Sequence, residues 1–379
     1  MKIDWSVFTE LSAGLIVFYC FAFAFLIQMW YYLFFFSRIS FYKKKELPAN
    51  TPPASIIICA KNEDHNIVDF LPLIFEQNYP EFEVVVVNDC SWDNTGDILN
   101  EFAKKHSNLK IVTIKENEHH SHGKKVALMM GIKGAAYEHL LLTDADCKPT
   151  SKLWLRNMIQ HFTNEKEIII GYGAYQKQKG FINKIIRYDT FIIALQYLSF
   201  ALARRTYMGT GRNLAYTKSL FFKKKGFASH YHIESGDDDL FVNEAATRKN
   251  TTIEVSQDSF TVSRVKQSMK DWLRQKRRHV TTFNQYKFGT KFRLIMLSAS
   301  QYLFYISFVI ALMLQFQPII ILSMFIFRLI VQQIIFNKSM KLLSEKDLLL
   351  LSPFIELFLM ILYPIITISN IFMKTNKWK

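Results

Sequence analysis

Between Leu11 and Ser37 the chain carries no charged residue (LSAGLIVFYCFAFAFLIQMWYYLFFFS). About 20 apolar residues in a helix cross the hydrocarbon core of a bilayer, so this run spans with some tilt. A signal-peptide core is shorter, about 7–15 residues, and is followed by a small-residue cleavage site. This run ends in aromatics instead, and it reads as a retained anchor. Arg38, Lys43, Lys44 and Lys45 follow it directly. Positive residues stay on the cytoplasmic side, which puts the following domain in the cytoplasm and the N-terminus outside.

Two further apolar stretches lie near the C-terminus. Residues 294–337 contain one charge, Arg328, and read as two crossings split near Pro318. Residues 348–373 contain only Glu356. The lysines between them, Lys338, Lys341 and Lys346, mark a cytoplasmic loop. A crossing by the last stretch would put Lys374, Lys377 and Lys379 outside, against the charge rule. Pro353 and Pro364 also suit a re-entrant or interfacial segment, and the sequence leaves the two open. Arg328 and Glu356 read first as a helix–helix pair or as snorkelling ends, and only second as the lining of a passage.

The membrane stretches explain a mean hydropathy of +0.06 in a chain with 47 Lys and Arg. Half of the 379 residues are apolar, and 47 bases against 32 acids give a net charge of +15. Thirteen Gly and nine Pro exclude collagen-like and low-complexity classes. Cys20, Cys59, Cys90 and Cys147 are scattered, make no CxxC pair and read as reduced thiols. His119, His120 and His122 fall in a polar loop without a ligand set around them, so they read as loop residues rather than a zinc site.

Residues 46–290, between a 1–45 anchor region and a 291–379 membrane region, have the size of one α/β domain. ASIIICA (54–60), FEVVVVND (82–89) and HLLLTDAD (139–146) are Val/Ile/Leu-rich runs of the kind found in buried parallel strands. Helical patterns lie between them at 66–78, 96–106 and 124–136. That alternation predicts a parallel sheet covered on both faces, with ligands at the carboxyl ends of its strands. Three strands end in polar clusters: Lys61-Asn62-Glu63, Asn88-Asp89 and Asp144-Ala145-Asp146. The stretch 190–203 is too short to span comfortably and reads as a core or interfacial helix that could admit a lipid acceptor.

Three motifs carry chemistry. Asp144 and Asp146 sit one residue apart at a strand end, and alternate strand residues face the same way, so both can hold one Mg²⁺ or Mn²⁺ against a substrate diphosphate. The competing reading is an ordinary turn before Lys148-Pro149. Asp237, Asp238 and Asp239 follow Gly236. Mutual repulsion raises at least one pKa, which suits a general base, while an acidic first turn of the helix at 240–249 is the plainer reading. Gln275-Lys276-Arg277-Arg278-His279 precedes the C-terminal membrane region. Its arginines suit either a diphosphate clamp or an anionic lipid surface.

The order of these pieces resembles that of the membrane-bound family 2 glycosyltransferases of GT-A fold, similar to cellulose, chitin and hyaluronan synthases. It runs KNE, ND, HGK, DAD, GDDD, QKRRH and then membrane helices, over about residues 54–280. The resemblance implies an α/β fold with a Rossmann-like mixed sheet and inverting transfer from a nucleotide-diphosphate sugar. It implies that Ala60, Glu63, Asp89, Lys124, Asp144, Gln275 and Arg278 hold the donor, and that Asp144 and Asp146 take the metal. It implies Asp238 as the base, with Asp237 and Asp239 as alternatives, and Gly211, Arg212 and Asn213 on the acceptor side. His279 stands where the family's QxxRW motif has tryptophan, which weakens an inference of sugar stacking there. The expected partners are the donor, a glycan or lipid-linked acceptor and membrane lipids, with no nucleic acid because the basic residues cluster beside membrane segments. A metal-dependent nucleotidyltransferase is the nearest rival, and a non-catalytic membrane scaffold the next. No GxxxxGK[ST] loop is present, which disfavours an ATPase.

Overall fold

The computed structural model describes residues 5–44, 50–115, 123–233, 235–266 and 268–372. His119, His120 and His122 lie outside the described residues.

The α/β unit is built on a seven-stranded sheet in the order β3-β2-β1-β4-β8-β6-β9. Its strands are β1 (Ala54–Ala60), β2 (Phe82–Asp89), β3 (Leu109–Ile114) and β4 (His139–Asp144), joined by β6 (Ile168–Ile170), β8 (Leu214–Thr217) and β9 (Thr251–Ile253). β3, β2, β1 and β4 are parallel, β8 runs antiparallel to β4 and β6, and β9 is parallel to β6. The sheet is therefore mixed, as the resemblance implied. A small second sheet pairs β10 (Thr261–Ser263) with β5 (Cys147–Pro149) and β7 (Gly173–Tyr175).

The apolar runs are buried on both faces because alternate residues enter different cores. Ile57, Val85 and Leu142 join Leu128 and Ile132 of the helix Lys124–Gly134. Ile56, Ile58, Val84 and Val86 join Ile67 and Leu71 of the helix Asp64–Phe75, Leu99 of the helix Thr95–Lys105, and Trp154. Gly131 permits this approach: a Cβ there would stand 2.8 Å from Val87 and 2.9 Å from Ile57.

Among the described residues, five helices are long and apolar enough to cross a membrane. The first runs to Ser40 through a π-helical stretch, Tyr31–Phe36. The helices Phe288–Met313 and Pro318–Leu342 meet at left-handed Gln315 and Gln317 just before Pro318, where the sequence predicts the split. The last candidate runs through the helix Ser352–Phe372. The fifth, Phe181–Leu202, differs from the sequence reading in length, since it begins nine residues before Thr190. Most of its apolar stretch is buried inside the protein, so it is a core element, in keeping with the core alternative. Its charges are hidden by pairing. Arg187 meets Glu345 and Asp347, and Asp189 meets Lys276 and Tyr363. One apolar cluster runs unbroken from the sheet face through Tyr188, Phe191 and Phe200 to Tyr31, Phe35, Phe336 and Ile355.

Arg328 and Glu356 form the helix–helix pair, with Arg328 Nη2 to Glu356 Oε1 at 2.8 Å. Gln28, Tyr32, Tyr305 and Gln332 complete the set around Arg328.

Candidate active site

The carboxyl ends of β2, β1 and β4 lie side by side, so the three polar clusters converge. Ala60 pairs in register with Asn88, and Cys59 with Asp144. The loops leaving β1 and β2 are tied together. The Asn62 amide donates to Ser91 Oγ at 3.0 Å, and Asn62 Oδ1 accepts from the Trp92 amide at 3.0 Å. The Glu63 amide donates to Thr95 Oγ1 at 2.9 Å. Asn62 and Cys90 hold left-handed backbone, φ 55° and 52°, which the interlocked loops impose. Asp89 is buried at the strand end.

Only Asp144 belongs to the strand; Asp146 sits in the turn that carries the chain out of the large sheet into β5. The same-face argument from strand alternation therefore does not apply. The tertiary turn still brings ligand atoms of Asp144, Asp146 and Cys147 within 4.8 Å of one another. The Cys147 thiol contacts Ser263 Oγ at 2.9 Å, and burial holds its pKa well above the usual thiol range. It is a poor ligand in that state, because metals take the thiolate. The two carboxylates are the hard oxygen donors that Mg²⁺ or Mn²⁺ prefer. On this donor chemistry the residues fit such an ion.

Lys124 connects two motifs that are far apart in sequence. Its Nζ lies 2.8 Å from Asp144 Oδ1 and 3.1 Å from Asp237 Oδ2. Burial opposes its charge, yet Asp144, Asp237 and Asp238 together keep its pKa well above the ordinary lysine value.

The acidic triplet divides into three environments. Gly236 turns the chain at φ +95°, a conformation that favours glycine. Asp237 is buried, and burial pushes its pKa up, but Lys124 and then Arg278 bring it below the usual carboxylate value. Asp239 faces inward and accepts from Thr282 Oγ1 and Tyr286 OH, both at 2.6 Å. Asp238 is the half-exposed member and caps the helix Asp239–Ala245. Its oxygens accept from the Gly211 and Asp239 amides at 2.7 Å each. Burial first, then the charges of Asp237 and Asp239, push its pKa up to about 7. The helix-start reading and the raised-pKa reading therefore both apply, to different atoms of one segment.

Arg212 stacks on Tyr175, its guanidinium carbon 4.4 Å from the ring centroid. Gln275 meets the same ring's hydroxyl, Oε1 at 3.5 Å. Arg278 lies on the helix Met269–Val280 close enough to Asp237 to lower its pKa, and His279 beside it is exposed. Asn213 stands apart from the rest of the expected acceptor-side segment. It is fully buried, donates to the carbonyls of Tyr172 (3.0 Å) and Ser259 (2.7 Å), and accepts from Trp154 Nε1 at 3.0 Å. Those bonds join the two sheets and leave its side chain no part in the pocket.

Sequence reasoning missed three residues. Tyr175 lies on a three-residue strand with no periodic signal. Tyr286 lies beyond the last motif. Lys125, next to Lys124, is buried and donates to the carbonyls of His230 (2.6 Å) and Ile233 (2.7 Å), which fixes the loop leading to the triplet. Burial pulls its pKa down to about 8. Neighbouring lysines on one helix point to different faces, so the KK pair itself is a weak signal that one of them turns inward.

Residues 55–224 match the family model for Glycosyl transferase family 2. The matched segment, just under half of the chain, is similar to family 2 glycosyltransferase domains and carries the mixed α/β sheet. The triplet and the QKRRH helix lie beyond the matched segment. The chain is 39% identical over 92 residues to the poly-beta-1,6-N-acetyl-D-glucosamine synthase of Staphylococcus epidermidis, covering 24% of this chain and 21% of that protein. It is 31% identical over 150 residues to the beta-monoglucosyldiacylglycerol synthase of Nostoc, covering 39% of this chain and 30% of that protein. The chain thus spans under a third of the length of either relative. A mannosyltransferase from Pyrobaculum calidifontis, solved with GDP-Man and Mn²⁺, shares the fold at a TM-score of 0.57 with 18% identity, over 90% of this chain and 97% of that one.

Proposed function

We propose that this protein is a membrane-embedded inverting glycosyltransferase that moves a sugar from a nucleotide-diphosphate donor to a glycan or lipid-linked acceptor. The observation that carries the reading is Lys124 bridging Asp144 and Asp237 beside a carboxylate, Asp238, whose pKa stands near neutrality. One end of that arrangement suits a diphosphate and the other an acceptor hydroxyl. Ala60, Glu63 and Asp89 take the nucleoside at the ends of β1 and β2. Lys124 and Arg278 face the phosphates, with Gln275 held against Tyr175. Asp144 and Asp146 would hold a Mg²⁺ or Mn²⁺ ion, which when bound neutralises charge on a diphosphate.

The chain's own groups then act in sequence. Asp238 takes the proton from the acceptor hydroxyl. The oxygen so freed bonds to the anomeric carbon from the face opposite the leaving group, and the bond from that carbon to the diphosphate oxygen breaks. The nucleoside diphosphate departs with the electron pair, against Lys124 and Arg278. The Gly211 and Asp239 amides hold the Asp238 carboxylate, so positioning accompanies proton transfer. Arg212 and the exposed His279 border the acceptor side.

Membrane crossing by the N-terminal helix and the C-terminal helices, with the α/β domain (46–290) on the cytoplasmic side, follows from their apolarity and the lysine-rich flanks. The homology to a polysaccharide synthase and to a glycolipid synthase supports both acceptor classes equally. The test is purified protein in detergent with a panel of nucleotide sugars and Mn²⁺ or Mg²⁺, scored for nucleoside diphosphate release. Release with one donor is expected, and Asp238→Asn should lower turnover by about 10²–10⁴-fold while donor binding persists. Pyrophosphate release instead would identify a nucleotidyltransferase. No release with any donor, from the wild type and the Asp144→Ala/Asp238→Ala double variant alike, would leave the scaffold reading.

A further inference from the structure

A cationic surface lies away from the acidic pocket. The turn after the helix Phe181–Leu202 carries exposed Arg204 and Arg205. The end of the helix Lys218–Lys223 carries Lys223 and Lys225, both exposed, and half-buried Lys224. The start of the helix Phe288–Met313 is preceded by exposed Lys287 and carries Lys291 and Arg293. Ring and hydrogen-bond contacts join the first and third of these segments, and the Lys224 charge reaches Lys287. Tyr31 OH donates to the Arg293 carbonyl at 2.6 Å and its ring lies 6.4 Å from Phe200, whose carbonyl accepts from the Arg205 amide at 2.8 Å. Tyr207 and Tyr286 rings lie 5.9 Å apart. Lys287 Nζ donates to the Glu244 carbonyl at 3.2 Å, and burial first, then the Lys224 charge, lower its pKa. Among the described residues none of these cations makes an ion pair, and the Glu244 charge acts on Lys287 against the effect of Lys224. Exposed aromatics stand beside them: Phe288 at 81% and Phe292 at 55%, with Phe222 at 44%.

Unpaired cations around exposed phenylalanines, at the first turn of an apolar helix, form a surface that water and a soluble partner both serve poorly. An anionic headgroup meets the cations, and its acyl region receives the rings. We propose that this surface is a binding site for anionic phospholipid headgroups of the membrane leaflet next to the α/β domain. The proposal rests on the membrane reading above, and it adds a place and a charge selectivity to it. The site is also wired to the triplet. The Lys287 amide donates to Asn243 Oδ1 at 3.1 Å, and the neighbouring Tyr286 hydroxyl donates to Asp239. Occupancy therefore steadies the segment against which the acidic triplet packs.

The test is native mass spectrometry of the full chain in detergent, titrated with phosphatidylglycerol or phosphatidylcholine. It reads lipid retention and not sugar transfer, so its failure is separate from failure of the enzymatic reading. The wild-type chain should retain phosphatidylglycerol in preference. Arg205→Gln/Lys287→Gln/Arg293→Gln should lose that preference, by roughly fivefold per neutralised cation. Arg248→Gln/Lys249→Gln, which removes charge elsewhere, should keep it. If the triple variant does not fold, Arg205→Gln alone should show the smaller loss. Equal retention of the two lipids by the wild-type chain, or undiminished phosphatidylglycerol preference in the variants, would overturn the site.

Discussion

Asp238 differs from its neighbours by environment and not by chemistry. Three identical side chains follow one another, yet Asp237 is neutralised by Lys124, Asp239 is held by two hydroxyls, and Asp238 alone combines partial exposure with a pKa raised to about 7. A base must be ionised to act. Transfer should therefore fall about tenfold for each pH unit below about 7 and level off above it, read as kcat/KM against pH. A flat profile down to pH 5 would point to Asp237, whose pKa lies below the usual value. At the other end of Lys124, Asp146→Ala should abolish both transfer and its recovery when Mn²⁺ is added back after chelation. Full activity with retained metal dependence in that variant would remove Asp146 from the metal site.

Helices and strands show where local pattern suffices and where it fails. The runs at 54–60 and 82–89 appear as strands with those bounds, because a fully buried strand is apolar along its whole length. The edge strand β3 has no fully buried residue, and exposed Lys110 and Thr113 interrupt its apolar positions, so it gives no continuous apolar run. β5, β7 and β10 are three residues each, set by partners far along the chain. Of the helix Phe181–Leu202 only the uncharged part from Thr190 onward stands out as an apolar stretch, because Lys184, Arg187 and Asp189 interrupt the earlier part. Arg187 and Glu345 are each 2% exposed, and their pairing makes that earlier part buriable. Arg187→Met leaves the Glu345 charge buried and without its main partner, at a cost of about 3–5 kcal/mol. Thermal unfolding in detergent should show the loss, and Glu345→Gln in the same background should recover part of it.

The apolar helices and the α/β unit share one continuous core, so they are not a catalytic domain on a tether. Lys276, next to Gln275, reaches Asp189, which also binds Tyr363 of the last helix. Within the apolar helices, Arg328 and Glu356 join two others, the N-terminal helix through Gln28 and Tyr32 and the helix Phe288–Met313 through Gln301. Such a pair is costly in lipid unless both charges are satisfied. Glu356→Ala should lower the melting temperature in detergent and shift the chain toward aggregation in size-exclusion chromatography, while Glu356→Gln, which keeps an acceptor for Arg328, should be milder. Equal behaviour of the two variants would deny the pair a joining role.

Class and chemistry were legible along the chain, because apolar run length, strand–helix alternation and clustered carboxylates are local properties. The separation of the uncharged run 11–37 from a charged flank, the strands at β1, β2 and β4, and the acids at 144, 146 and 237–239 are read directly from residue order. The division of labour among those acids was not legible. It depends on Lys124 reaching across to Asp237, on Gly211 meeting Asp238, and on Tyr286 meeting Asp239, contacts that join residues 27 to 113 positions apart. A carboxylate's pKa follows from what surrounds it in space, and a sequence records only what surrounds it along the chain.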